Sequence, residues 1–327
     1  MKLRLSRFLP VLDALGLLDL IIRFKTRGGS LLIIMYHEIE RNVYYDIGLS
    51  KQYFENQLQY LLKLGFRIMP LCEALELIMS NKGIDKVAVI TFDDGYKGVY
   101  EHALPIMKKY GVNGTVYVSP PGLIENKIPN WASAITYALM KIKTPIELNA
   151  SLGTLKINNE DEKTKAITTL INNIPKMNKD ELMSMIKVLY NDYLGEDIHK
   201  LYYETMLTLD QIKELSEHGF EIGGHGYYHL GLPYLNDHEL KNEIESSKDF
   251  ISKYNNCSMS TFAYPFGLYD LRVINAVKDG GFRAAVTMKP YLNGISKVNL
   301  YELGRFTPYR YGLLHLSSFK YQVITER

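Results

Sequence analysis

The sequence predicts an α/β fold, one barrel-like domain carrying a helical insertion. Three observations carry this. Short apolar runs alternate with helix-length segments in both halves of the chain, as a parallel sheet with crossover helices requires. The strongest run, Val87-Ala88-Val89-Ile90-Thr91-Phe92, is nearly unbroken, as in a strand buried on both faces. The alternation is suspended only between about residues 123 and 206, where helical patterns follow one another. The 327 residues are 46% hydrophobic and 23% charged, enough for a core without disulfide or metal staples.

In order, residues 31–35 read as a buried strand ending at Tyr36-His37-Glu38. Ser50 caps a helix to about Leu64, which Gly65 stops. Strands at 67–69 and 87–92 flank a helix over 71–80. A helix over about 98–109 leads through Gly111 to a strand at 114–118. In the insertion, helices are expected over 131–142, 160–174 and 179–194, the last capped by Asn178 with Glu181. Thr208 with Gln211 then caps a helix ending at Gly219, before a strand at 220–223. Asn236 with Glu239 caps a long helix to about Tyr254. Strands near 260–264, 282–287 and 299–306, with a helix over 270–279, complete the pattern. Chemistry in barrels of this kind gathers at the C-terminal strand ends.

Residues 1–28 form a separate segment. Positions 1–27 hold six basic and two acidic residues, a net of +4, around an apolar stretch from 8 to 22 broken by Pro10, Asp13 and Asp19. It is too short and too charged to span a bilayer, and no small-residue cleavage site follows it. The expectation is a basic amphipathic helix in peripheral contact with the inner membrane face, with Leu5, Phe8, Leu12 and Leu15 on its apolar side. The alternative is a helix packed on the barrel. A net charge of +2 gives no basis for a nucleic-acid partner. Cys72 and Cys257 lack metal-ligand spacing and are too few for a disulfide framework, which suits a cytoplasmic location.

Two strand-end motifs carry chemistry. Thr91-Phe92-Asp93-Asp94-Gly95 ends a strand with paired carboxylates and a glycine turn; alone it reads as an Asp-Gly turn. Gly223-Gly224-His225-Gly226-Tyr227-Tyr228-His229 also follows a strand, and histidines four apart share one face of a helical turn. Together they offer two nitrogens and one oxygen, an open catalytic set for one divalent ion. Zinc is the default, with cobalt, nickel or iron as alternatives.

In this order and context the motifs resemble the first two of the polysaccharide deacetylases, carbohydrate esterase family 4. The resemblance extends to Ala103-Leu104-Pro105, Gly111, Gly219–Gly224 and Phe262-Ala263-Tyr264-Pro265-Phe266-Gly267, covering residues 31–123 and 207–307. It implies a deformed (β/α) barrel and metal-assisted removal of N- or O-acetyl groups from sugars. It makes Asp94, His225 and His229 the metal ligands and Asp93 the general base. The backbone N–H of Phe266, at a family tyrosine position, becomes an oxyanion donor. Ala263 stands where the family usually has an arginine, and Arg305 is the candidate substitute. His37 and His315 compete for the general acid, with Trp131 and Tyr264 as sugar-facing aromatics. The expected function is a metal-dependent deacetylase acting on N-acetylated sugars of a cell-surface polysaccharide or lipid-linked glycan. Alternatives are a catalytically weak barrel that binds acetylated glycan, motivated by the missing arginine, and a metal-dependent amidase on a non-sugar substrate.

Overall fold

The computed structural model describes residues 13, 16–26, 29–40, 48–80, 85–118, 121–150, 153–254, 257–294, 299–308, 320 and 323–324. Helix α1 (Leu17–Lys25) precedes strand β1 (Ser30–Tyr36), buried along its whole length. Helix α2 (Lys51–Lys63) starts where the Tyr53 N–H donates to the Ser50 side chain. Strand β2 (Arg67–Ile68), helix α3 (Leu71–Met79) and strand β3 (Val87–Phe92) follow. A π-helical turn at Val99–Ala103 runs into α4 (Leu104–Lys109), and β4 (Thr115–Val118) comes next.

The stretch expected to be helical holds α5 (Trp131–Lys141), α6 (Glu160–Asn173), α7 (Lys179–Lys187) and α8 (Ile198–Thr205). It also holds an antiparallel hairpin, β5 (Ile146–Ala150) with β6 (Gly153–Ile157), which corrects the all-helical expectation. Its register pairs Ile146 with Ile157 and Leu148 with Leu155, the period-2 apolar face a hairpin needs. The helix expected over 179–194 widens at Val188 into π-helical turns that end at Gly195, φ 65°.

The remaining elements are α9 (Leu209–Glu217), β7 (Glu221–Gly224), α10 (Asp237–Ser252), β8 (Thr261–Ala263), α11 (Leu271–Asp279), β9 (Ala284–Val286) and β10 (Asn293–Gly294). Capping boxes open α7, α9 and α10 at Asn178, Thr208 and Asn236. Each supplies acceptors to orphan N–H groups of the first turn.

The main sheet runs β9-β8-β7-β4-β3-β1-β10, parallel except for β10, with β2 beside the first half of β3. Residues 303–306 link its two ends: Leu303 bridges Val286, and Phe306 bridges Ile34. The strand expected over 299–306 is present only as these bridges, because its few residues divide their bonds between β9 and β1. The result is a deformed barrel. Alternation along β1 puts Leu32, Ile34 and Tyr36 in the outer core with Phe54 and Leu58 of α2. Leu31 and Ile33 instead join Val87, Val89, Tyr117 and Val286.

Leu71, Cys72 and Leu75 of α3 belong to this second cluster. The buried Glu221 carboxylate accepts the Cys72 N–H at 2.9 Å and hydroxyls from Thr115 and Thr261, meeting the orphan donors of the α3 N-terminus. Cys72 also forms a disulfide with Cys257, their Cα atoms 6.2 Å apart. The two cysteines, too few for a framework, still make one long-range crosslink that their spacing of 185 residues conceals. Among the described residues no helix is long and apolar enough to cross a membrane.

Candidate active site and metal centre

The side-chain alternation that turns Val87 and Val89 inward continues to Thr91 and Asp93. The Asp93 N–H still bonds Tyr36 O at 2.9 Å, one residue beyond β3. Asp94 then takes φ 71° and Gly95 φ 70°, and this reversal brings neighbouring carboxylates to one mouth. Asp93 accepts two parallel bonds from Arg305, Nη1 to Oδ1 and Nη2 to Oδ2, both 2.7 Å. Arg305 is fully buried and also donates to Thr287 O at 2.9 Å and Thr91 Oγ1 at 3.1 Å.

Asp94 turns the other way. Its Oδ1 lies 3.2 Å from Nε2 of both His225 and His229. The three prospective ligand atoms sit within 4.8 Å of one another, and all three residues are buried. His225 Nδ1 bonds Ala263 O at 2.7 Å. This bond assigns the ring proton to Nδ1 and leaves the Nε2 lone pair facing Asp94. Two imidazole nitrogens and a carboxylate oxygen around one point suit a divalent ion. His229 Nδ1 is buried with no hydrogen-bond partner among the described residues.

Burial alone would raise both carboxyls. At Asp93 the Arg305 guanidinium outweighs burial and holds the group below the usual range; at Asp94 the two imidazoles hold it well below. Burial lowers the proton affinity of His229. At His225 burial is outweighed by the Asp94 and Asp93 carboxylates, and the pKa rises.

The His-x-x-x-His segment is a loop, which corrects the expected helical turn. Gly226 has φ 79° and His229 φ 55°. A Cβ at Gly226 would also meet Glu243 Oε2 at 3.0 Å. The loop is held from three sides. Glu243 of α10 accepts the N–H groups of Tyr227 at 2.8 Å and Tyr228 at 3.0 Å. Gly122 N–H donates to Tyr227 O, and Trp131 Nε1–H to Tyr228 O at 2.6 Å. Burial pushes the Glu243 carboxyl up to about 7, against the pull of its two N–H donors.

The expected residues divide clearly. Asp93, Asp94, His225, His229, His37, Tyr264 and Phe266 line one cavity of about 270 Å³. Tyr264 donates its hydroxyl to Tyr301 O and stacks on Tyr269, so little of its ring is open. Phe266 packs its ring 4.4 Å from His229, with φ 58°. Asp94, His229 and Phe266 are thus non-glycine residues in the left-handed region, where strain collects at functional sites. Trp131 is fully buried and does not line the cavity, so the sugar-stacking expectation is replaced by its bond to the histidine loop. His315 lies outside the described residues. Sequence reasoning missed Tyr96, Asn130 and Met288 on the cavity wall, the apolar pair Ile171 and Ile174 from the insertion, and Glu243 behind the loop. A larger hollow of about 700 Å³ between α10 and α11 contains none of these groups.

A family model described as polysaccharide deacetylase matches residues 80–143 and 160–285, more than half of the chain. The unmatched residues between these two blocks hold the β5–β6 hairpin. YxkH of Bacillus subtilis (strain 168), which carries a polysaccharide deacetylase name, is 23% identical over 265 residues. That alignment covers 81% of this chain and 66% of YxkH, so the chain spans just under two thirds of that relative's length. The solved Streptococcus pyogenes deacetylase PplD, in complex with acetate, is similar at TM-score 0.56 and 20% identity, covering 85% of this chain and 92% of that one. A polysaccharide deacetylase from Bacillus cereus gives TM-score 0.55 at 17% identity, covering 89% and 69%. At these identities the structural likeness is one of fold.

Proposed function

The chain belongs to the polysaccharide deacetylase family, and from that premise we propose that it is a metal-dependent hydrolase. Its substrate in this reading is the acetylated, chiefly N-acetylated, sugar of a cell-surface polysaccharide or lipid-linked glycan. The observation that carries the reading is the convergence of Asp94, His225 and His229 beside the Asp93–Arg305 pair. Those three residues would hold a single divalent ion, zinc by default. When bound, such an ion polarises the acetyl carbonyl and lowers the pKa of a water toward about 7.

The chain's own residues do the rest. Arg305 keeps Asp93 anionic and fixes the plane of its carboxylate, leaving lone pairs to accept the proton of the attacking water. The Phe266 N–H, set by its left-handed turn, is the donor assigned to the oxyanion. His37, half-buried at the cavity wall, is the group assigned to protonate the leaving amine. The reading of a barrel that only binds glycan loses its motive, since the guanidinium absent at position 263 reaches Asp93 from position 305.

Acetate release is the test. The protein is offered N-acetylglucosamine oligomers, an O-acetylated glycan and an N-acetylated amine without a sugar. Acetate from the N-acetylated oligomers first supports the reading. Equal release from the non-sugar amide points to the amidase, and none from any substrate refutes the assignment.

A further inference from the structure

We propose that helix α1 docks the protein on the surface of an anionic lipid bilayer, through an apolar face that the barrel leaves uncovered. The helix carries two stripes. Leu18 and Ile22, four apart, are 3% and 2% exposed and belong to the packed side. Leu17, Leu20, Ile21 and Phe24 recur at i, i+3, i+4 and i+7 and are 43%, 64%, 41% and 75% exposed. A helix on a barrel needs only the first stripe. Among the described residues, no other helix exposes more than one large hydrophobic residue to this degree.

Charge decides what covers the second stripe. The acid of α1, Asp19, pairs with Lys320 at 2.7 Å and accepts the Tyr60 hydroxyl at 2.8 Å. Asp13 also pairs with Lys320. With both acids engaged by a buried lysine, the exposed Arg23 sets the charge beside the stripe. The twelve residues that precede Asp13 add Lys2, Arg4 and Arg7 and no acid. An apolar stripe flanked by Arg23, in a segment whose first 27 residues carry a net charge of +4, fits anionic headgroups, each basic residue near such a surface contributing attraction that salt weakens. A second copy of the chain would instead bring like charges together. The nine-residue helix is roughly 14 Å long, enough to lie in an interface and too short to cross one. Leu5, Phe8, Leu12 and Leu15, expected on the apolar side, lie outside the described residues. Helix α1 both packs on the barrel and presents a second side. The proposal does not depend on the proposed chemistry.

The test is flotation of the full chain with vesicles of phosphatidylcholine alone and of phosphatidylcholine containing phosphatidylglycerol. The protein should float with the anionic vesicles at low salt and release as salt rises. The double substitution Leu20→Ser, Phe24→Ser should lower partitioning by about tenfold or more, from lost apolar burial. Arg23→Glu, which reverses the charge of an exposed side chain, should lower it several-fold as well. Unchanged flotation of both variants would overturn the proposal, as would failure of the unmodified protein to float. A dimer in light scattering that the double substitution abolishes would also overturn it, since a second copy would then own the face.

Discussion

Arg305 and Asp93 meet through two parallel bonds of 2.7 Å inside the barrel, with Arg305 wholly out of solvent. The guanidinium comes from the segment that links β9 to β1, not from β8, where Ala263 leaves only a backbone carbonyl for His225. The group that orients Asp93 and the carbonyl that orients His225 thus come from different parts of the barrel.

Removing that guanidinium should be costly. Arg305→Met leaves a buried carboxylate without its partner, a loss on the order of 3–5 kcal/mol in urea unfolding. Arg305→Lys keeps the charge but not the planar fork, so it should lose less stability and still slow turnover about tenfold or more. Equal stability of Arg305→Met and the unmodified protein would mean that the pair is not closed in solution.

The base is separable from the ligands. Asp93→Asn should leave metal content near one ion per chain, because Asp93 faces Arg305, while the rate falls on the order of 100-fold or more. Elemental analysis and initial rates read the two effects independently. Normal turnover would assign the proton to another group.

Glu243 predicts a different split. Among the described residues it has no hydrogen bond to a proposed ligand, yet it fixes the Tyr227 and Tyr228 N–H groups between His225 and His229. Glu243→Gln keeps one acceptor and the volume, and should weaken metal binding about 10–100-fold. Glu243→Asp should restore part of that affinity. Calorimetric metal titration alongside thermal unfolding distinguishes positioning from packing, since a packing role would shift the unfolding midpoint and spare the affinity.

Stability should fall as pH rises. Glu38 is buried, and desolvation pushes its carboxyl from 4.5 to about 8 against the N–H groups of Ile39 and Gly98. Between these two values the folded chain keeps a proton that the unfolded chain has released. The contribution is therefore complete below pH 4.5 and lost as pH climbs through about 8. At about 1.4 kcal/mol per pKa unit the ceiling is about 4–5 kcal/mol. Glu243 acts in the same direction. Urea midpoints at pH 5 and pH 8 should differ in the unmodified protein, and less in Glu38→Gln; an equal difference in both would remove Glu38 from the account.

Much of this was legible in the chain because the signals were local. Strand ends marked Asp93, Asp94 and His225, and the capping boxes at Asn178, Thr208 and Asn236 announced helices that the structure contains. What was not legible depends on contacts far apart in sequence. Glu243 reaches the histidine loop from the next helix, Trp131 meets Tyr228 across 97 positions, and Cys72 finds Cys257 across 185. The β5–β6 hairpin had a readable period of two at Ile146, Leu148, Leu155 and Ile157, obscured by strong helical neighbours. The histidine spacing suggested a helix, but Gly226 and the left-handed His229 bend the same five residues into a loop that still points both imidazoles at Asp94.

The central claim is that Asp94, His225 and His229 hold the ion on which hydrolysis depends, and one measurement addresses it directly. Acetate release from N-acetylglucosamine oligomers is followed for protein stripped with a chelator and then reloaded with graded zinc, beside the His225→Ala, His229→Ala double variant. The account predicts that activity vanishes on stripping, returns in proportion to metal up to about one ion per chain, and stays absent in the double variant, which should bind no ion at that affinity. Undiminished acetate release from the stripped protein, or full metal occupancy in the double variant, would contradict it.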